Sequence, residues 1–298
     1  MTKTVFTAVC GKANAGKSSL VNLLVGEKIA IVSEKPQTTR TRINGILTVE
    51  NIQYVFTDTP GLHKAKSALS KHMLKSIRSS VTDVDVILLM ADCTRKINID
   101  KDLFSGAPVI LLLNKVDLIK DKSSLLTIID ECNKLHDFAE IIPISVVNKI
   151  NTEKILPLLE SYAKENESGE FYFDTDLPTD QPERVWLSEI IREKLLHELH
   201  EEIPHGIAVQ IETIEYTKTN SGKEIVDLSA VIICEKQSHK GMIIGRQGSM
   251  LKKIGSIARI ETEEYFGCKV NMKLWVKVAE DWRNRESLIN EFGLKSDA

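Results

Sequence analysis

Near the start of the chain, the eight residues Gly11-Lys12-Ala13-Asn14-Ala15-Gly16-Lys17-Ser18 follow the pattern GxxxxGK[ST]. A loop of this kind lets successive backbone N–H groups close on phosphate oxygens, and a helix beginning at its end favours the same anion. Lys17 is placed to reach the β- and γ-phosphates of a nucleotide, and Ser18 to ligate Mg²⁺. Gly11, Ala13, Asn14, Ala15, Gly16, Lys17, Ser18 and Ser19 are the candidate phosphate-binding residues. The pattern by itself does not choose between ATP and GTP. Asn114-Lys115-Val116-Asp117 does choose. The Asp117 carboxylate can accept from both guanine N1–H and the guanine 2-amino group, and adenine offers neither donor there; a site built on such pairs rejects an analogue lacking them. Asp58-Thr59-Pro60-Gly61 supplies the remaining chemistry. Asp58 can hold Mg²⁺ through water, and the Gly61 N–H can meet the γ-phosphate and sense its loss.

These segments act together only if a fold gathers them, and open α/β sheets bind ligands at the carboxyl ends of their strands. Strands are expected over residues 4–10, 45–50, 52–58, 84–91, 109–114 and 141–145, and helices over 17–25, 71–79, 125–135 and 153–163. The runs VDVILLMA and VILLLN are almost wholly apolar, as parallel strands covered on both faces are. Alternation of strands and helices predicts an α/β domain with a mostly parallel sheet. Residues 164–183 are acidic, carry Gly169, Pro178 and Pro182, and lack any period; this segment reads as a linker whose Phe171, Tyr172 and Phe173 dock it onto one domain. The rest of the chain reads as an α+β domain: helix 183–200, strands 207–216 and 224–234 joined across Thr219-Asn220-Ser221-Gly222, a short helix near Gly241, helix 249–266 and strand 270–278.

The chain has 298 residues, 42% hydrophobic and 27% charged, with a net charge of −3. This composition excludes a disordered chain and a disulfide-dense scaffold. Five scattered cysteines without a CxxC pair read as reduced thiols packed in cores, and no apolar stretch approaches the length of a membrane span. The charge is unevenly spread. Residues 236–285 hold eleven basic and five acidic side chains, a net of +6 against −9 for the remainder. A basic segment inside an acidic chain is the footprint of a nucleic-acid partner. Within it, Ile244-Gly245-Arg246-Gln247-Gly248 follows an apolar lead-in and opens a helix bearing Lys252 and Lys253. The two glycines allow a backbone to approach phosphates closely, and the segment resembles the GXXG loop of KH domains, which clamps single-stranded RNA. Ile244, Gly245, Arg246, Gln247, Gly248, Lys252 and Lys253 are the candidate RNA-binding residues; Ile243, Leu251 and Ile254 either line an apolar groove for bases or belong to the core.

Taken with Ile144-Ser145-Val146, the nucleotide motifs resemble those of translation-factor-type GTPases. Gln37-Thr38-Thr39-Arg40-Thr41-Arg42 is similar to switch I of one family, the Era GTPases. The same resemblance continues through DQPERVWLSEIIREKLL, the EIPH turn, KLWVKV and DWR, and covers residues 5–285. It implies a P-loop GTPase domain over residues 1–165, a linker over 166–182 and a type II KH domain over 183–298. It implies that Thr39, with Thr38 as the alternative, joins Ser18 and Asp58 at Mg²⁺, that Ser145 and Val146 contact the guanine oxygen through backbone, and that Lys17, Asn14, Thr39 and Gly61 act in GTP hydrolysis to GDP. Leu62 stands where Ras-type proteins carry a catalytic glutamine, so water cannot be oriented that way. By resemblance Asn14 helps bind K⁺, which supplies the positive charge of an arginine finger. The implied partner is the 3′ end of 16S ribosomal RNA during assembly of the 30S subunit, for a cytoplasmic, monomeric protein with peripheral association at the inner membrane. The rivals are a GTPase serving another RNA or a membrane task, and a nucleotide-gated RNA-binding module with negligible turnover. Three departures stand out: Ala13 and Ala15 in the P-loop, a short 96–108 segment with its helix clipped or absent, and a brief tail after Arg285 with no membrane role of its own.

Overall fold

The computed structural model describes residues 1–294 apart from 36–37, 63–66, 100–103, 105, 200–205 and 219–221. Gln37, most of the expected hairpin turn and the EIPH turn therefore lie outside the described residues. The chain divides into two compact units, with the main division between Asp180 and Gln181.

In the first unit the strands are β1 (Lys3–Gly11), β2 (Ile43–Val49), β3 (Ile52–Asp58), β4 (Val86–Asp92), β5 (Val109–Asn114), β6 (Glu140–Pro143) and the short β7 (Lys164–Glu165). Their order is β2-β3-β1-β4-β5-β6, with β7 beside β1. β1 pairs in parallel with both β3 and β4, and the parallel set continues to β6, whereas β2 and β7 run antiparallel to their neighbours. The helices are α1 (Lys17–Val25), α2 (Ala68–Ser80), α3 (Lys122–Asn133) and α4 (Ile155–Glu160). The apolar runs divide by period two. Leu88, Met90, Ile110 and Leu112 pack with Leu20 and Leu24 of α1 and Leu159 of α4, while Ile87, Leu89, Leu111 and Leu113 pack with Ile77 of α2 and Cys132 of α3. Both sheet faces are thus covered, which is why these strands carry so few polar residues.

Two expectations need correction, while the described residues of 96–108 agree with a helix clipped or absent there. The helix expected over 153–163 is only α4 preceded by one 3-10 turn, because the chain turns back so that β7 can pair with Lys3 and Thr4 of β1. Four of the cysteines are buried but Cys268 is half-exposed at the edge of its cluster. Burial pushes the thiols of Cys10 and Cys93 up to about 11. The acidic segment after β7 is bound to the first unit. Gln53 exchanges hydrogen bonds with the backbone of Phe173, Tyr172 packs edge-on to Phe6 with centroids 5.2 Å apart, the Ile46 N–H donates to the Pro178 carbonyl, and Asn44 donates to the Asp180 carboxylate at 2.7 Å.

The second unit contains α5 (Glu183–Glu198), β8 (Ala208–Lys218), β9 (Glu224–Cys234), α6 (Gln237–Ile244), α7 (Ser249–Phe266), β10 (Lys269–Val278) and α8 (Glu286–Glu291). Its three strands lie in the order β10-β9-β8, with β8 and β9 antiparallel and β9 and β10 parallel. One sheet face buries Val226, Leu228, Ala230 and Ile232 against Leu187, Ile190 and Ile191 of α5 and Ile254 and Ala258 of α7. The tail expected after Arg285 forms α8, anchored by the fully buried Ile289 and by Phe292 against Trp282. Six residues are too few for a helical period to register in the sequence. No helix among the described residues is long and apolar enough to cross a membrane.

Candidate functional sites

The P-loop leaves β1 at its carboxyl end and enters α1 at Lys17. Gly16 has φ +101°, and a Cβ there would lie 2.4 Å from the Asn114 amide nitrogen. Only glycine permits both the conformation and the contact. That contact has a purpose: Asn114 Nδ2 donates to the Ala15 carbonyl at 2.8 Å, and its Oδ1 accepts from the Val146 N–H at 3.1 Å. One buried amide therefore ties the phosphate loop to the loop after β6. Ser145 donates to the Asp117 carboxylate at 2.5 Å, and the same hydroxyl accepts from the Asn148 N–H. This fixes one Asp117 oxygen and leaves the other for a base.

Lys17 is buried, and its ammonium donates to the Lys12 carbonyl at 3.2 Å. Burial lowers its pKa, while the charges of Asp58 and Cys10 act the other way. Asp58 at the end of β3 is raised by burial, opposed by Lys17 and by hydrogen bonds from Ser18 and Thr39. Ser18 donates to Asp58 at 2.6 Å, and the Thr39 hydroxyl lies 2.9 Å from that of Ser18 and 3.3 Å from Asp58. Thr38 also lines the cavity, but its hydroxyl donates to the Lys35 carbonyl and not to Asp58. The second carboxylate oxygen of Asp58 is buried with no hydrogen-bond partner. Two hydroxyls and a carboxylate with an unused oxygen form the hard, all-oxygen donor set that suits Mg²⁺, so these residues fit the ion.

Ala13, Asn14, Gly16, Lys17, Ser18, Ser19, Thr39, Gly61, Asn114, Lys115, Asp117 and Val146 all line one cavity of about 570 Å³. Gly11, Ala15, Asp58 and Ser145 do not line it; they sit behind it, as the bonds of Ala15, Asp58 and Ser145 show. Asn14, at φ +64°, donates to the Glu34 carbonyl across the mouth of this cavity. Two features were not expected from sequence. Ile31, Val32, Leu118 and Val147 supply apolar wall. Asp92 pairs with Lys115 at 2.7 Å; burial works to raise its carboxyl, and hydrogen bonds from Lys115 and Thr94 outweigh this and hold it below the ordinary range. Asp92 was findable: it ends β4 in register with Asn114, at the same sheet edge.

In the second unit, the loop Gly245–Gly248 joins α6 to α7. Gly245 has φ +73°, and a Cβ would come within 2.8 Å of the Met250 backbone nitrogen. Arg246, Gln247 and Lys252 are exposed and Ile244 is half-buried. Lys253 is exposed but ion-paired with Glu198. Ile243 and Ile254 are fully buried, so they are core, while Leu251 is half-buried against it.

Residues 6–115 match the family described as 50S ribosome-binding GTPase, and residues 202–283 match the KH domain family. The chain is 47% identical to GTPase Era of Clostridioides difficile (strain 630), over 98% of this chain and 99% of the relative. It is 44% identical to GTPase Era of Clostridium perfringens (strain 13 / Type A), over 99% of both. Among solved structures it resembles Era in complex with MgGDPNP and nucleotides 1506–1542 of 16S ribosomal RNA, at 35% identity and TM-score 0.93, covering 99% of this chain and all of that one. A variant of Aquifex aeolicus Era bound to GDP·AlF4⁻ is similar at 35% identity and TM-score 0.92, over 98% and 99% of the two chains.

Proposed function

The chain belongs to the Era family of GTPases, and from that premise we propose that it hydrolyses GTP to GDP in the first unit and binds the 3′ end of 16S ribosomal RNA through the second, acting in 30S subunit assembly. The observation that carries this is the pairing of a single cavity holding all the nucleotide motifs with an exposed GXXG loop on a separate unit. Residues 1–165 form the nucleotide domain, 166–182 the connecting segment and 183–298 the RNA domain. The same reading places a monomeric protein in the cytoplasm, with any inner-membrane contact peripheral.

Ser18, Thr39 and Asp58 hold Mg²⁺, which when bound neutralises charge shared by the β- and γ-phosphates. Lys17 reaches the same phosphates and stabilises charge that grows in the transition state. The Gly61 N–H and the Thr39 region respond to the γ-phosphate, so its loss releases both switches. Asp117 and the backbone at Ser145 and Val146 read guanine. Leu62 packs into the apolar cluster beneath α2 and α3, and presents no group to water. The missing positive charge is assigned to K⁺, which the Asn14 side-chain oxygen would help hold, its amide N–H being fixed to the Glu34 carbonyl. The expected result is a kcat about a hundredfold higher in potassium than in sodium buffer, on the order of one transition-state contact. Equal rates would overturn the potassium assignment while leaving GTP binding intact.

Gly245, Arg246, Gln247, Gly248 and Lys252 are the proposed RNA clamp, with Ile244 beside it and Lys253 contributing charge once freed from Glu198. Crosslinking of bound RNA followed by sequencing tests the partner. Reads are expected at the 3′ end of the small-subunit RNA and are expected to vanish in Gly248→Asp, which places a carboxylate against phosphates. Reads spread over unrelated RNA would sink the ribosomal assignment.

A further inference from the structure

We infer that the open face of the KH sheet, centred on Trp275, is a second binding surface for single-stranded RNA, separate from the GXXG loop. Side chains alternate across a strand. On β10, Val270, Met272, Leu274, Val276 and Val278 face the helices and the core. Lys273, Trp275 and Lys277 therefore project from the opposite face, where all three are exposed and Trp275 retains 49% of its accessible surface. The indole therefore leaves a large aromatic face open to a partner.

The setting selects the partner. The register places Val231 of β9 beside Trp275, Ser229 beside Lys273 and Ile233 beside Lys277, so no acid on β9 opposes the three residues. Lys273 and Lys277 make no ion pair among the described residues, whereas Lys269 is taken up by Glu263. Four residues of strand separate the two lysines by about 13 Å. An aromatic ring flanked on both sides by cations presents a stacking surface with phosphate contacts before and after it. A duplex offers no open base face to the ring, and an acidic peptide would use the lysines but not the stack. The acids on this face define its limits. Asp227 is engaged by Asn271 at one end. At the other, a cavity of about 390 Å³ beside α8 is lined by Glu212, Glu280 and Glu291 together with Lys277 and Arg285, so Lys277 shares its charge with these acids and Lys273 is the principal phosphate contact.

The inference rests on RNA being the partner but not on the GXXG loop. The test measures binding by the full-length protein of a short single-stranded RNA and of one long enough to occupy both surfaces, across a salt series. The long RNA is expected to bind more tightly. K273E/K277E should reduce that advantage roughly tenfold and flatten the salt slope by about 0.7 for each phosphate that is no longer neutralised. Trp275→Ala should cost roughly tenfold and Trp275→Phe should restore most of it, since stacking needs only a π-face. Binding of the short RNA, seated on the GXXG loop, should not change. Gly248→Asp is the counter-arm: it should remove short-RNA binding and leave a residual long-RNA signal that K273E/K277E abolishes. Loss of short-RNA binding in the wild-type protein would defeat the GXXG reading alone. Identical long-RNA affinity and salt slope in K273E/K277E and Trp275→Ala would overturn the second surface and leave its lysines and indole to a partner other than RNA.

Discussion

Replacing Lys17 by alanine is expected to weaken GTP binding by about thirtyfold or more. Truncating one partner of a buried, hydrogen-bonded charge pair costs about 2–5 kcal/mol, and each 1.4 kcal/mol is about tenfold in affinity. Lys17 is buried at the floor of the cavity, where its ammonium holds only the Lys12 carbonyl and is opposed by desolvation. A polyphosphate supplies the counter-charge that the protein withholds. The sign of the pH effect follows. Burial lowers the Lys17 pKa in the ligand-free protein, below its ordinary 10.5, and bound phosphates raise it again. Binding therefore takes up a proton wherever the ligand-free amine is partly neutral, and affinity falls as pH rises through the window between the two values. Titration calorimetry in buffers of different ionisation heat reads both effects. A loss of less than about threefold in Lys17→Ala would show that the phosphates are held elsewhere.

Asp117→Asn is expected to undo the choice of base. Discrimination by a site that pairs the substrate's polar groups reaches about 10⁴-fold, and most of it here is assigned to one carboxylate. Ser145 orients that group by donating to one oxygen. An asparagine amide cannot accept from both guanine N1–H and the 2-amino group, because its nitrogen is a donor. It can donate to the 2-oxo group of xanthine. GTP affinity should therefore drop by several orders of magnitude and XTP affinity should rise, with the phosphate contacts unchanged. Unaltered GTP selectivity would move base recognition away from Asp117. Asn114→Ala makes an informative contrast: it leaves Asp117 in place but cuts the ties to Ala15 and Val146, so both nucleotides should bind less well together.

Much of the nucleotide site was legible because each motif sits at the end of a strand with a strong apolar signature. β3 and β5 have the bounds expected of them, 52–58 and 109–114, and α1 spans the expected 17–25. Other features left no such signal. Residues 166–180 have no period, and only their aromatic triplet signalled docking; the Gln53 and Asn44 side chains and the Ile46 N–H that strap them to the first unit lie far back in the chain. Arg192, Glu193 and Lys194 are consecutive charges on α5, and adjacent residues on a helix do not share a face. All three are nevertheless buried, with Lys194 between Glu193 and Glu261. Only a partner elsewhere in the chain makes such burial tolerable, and Glu261 is 67 residues away.

Local sequence alone determined the phosphate loop, the carboxylate proposed to read guanine, the GXXG turn and the two-part plan, because each depends on residue types within a few positions of one another. Tertiary structure decided what required residues far apart in the chain: that Thr39 and not Thr38 stands with Ser18 and Asp58, that Asp92 holds Lys115, that Lys253 is engaged by Glu198 while Lys273 is unspent among the described residues, and that Trp275 faces water. The difference is one of distance. Turn geometry and anion binding are written in the backbone of a short segment, whereas the pairing and burial of a charge depend on what the rest of the fold brings beside it.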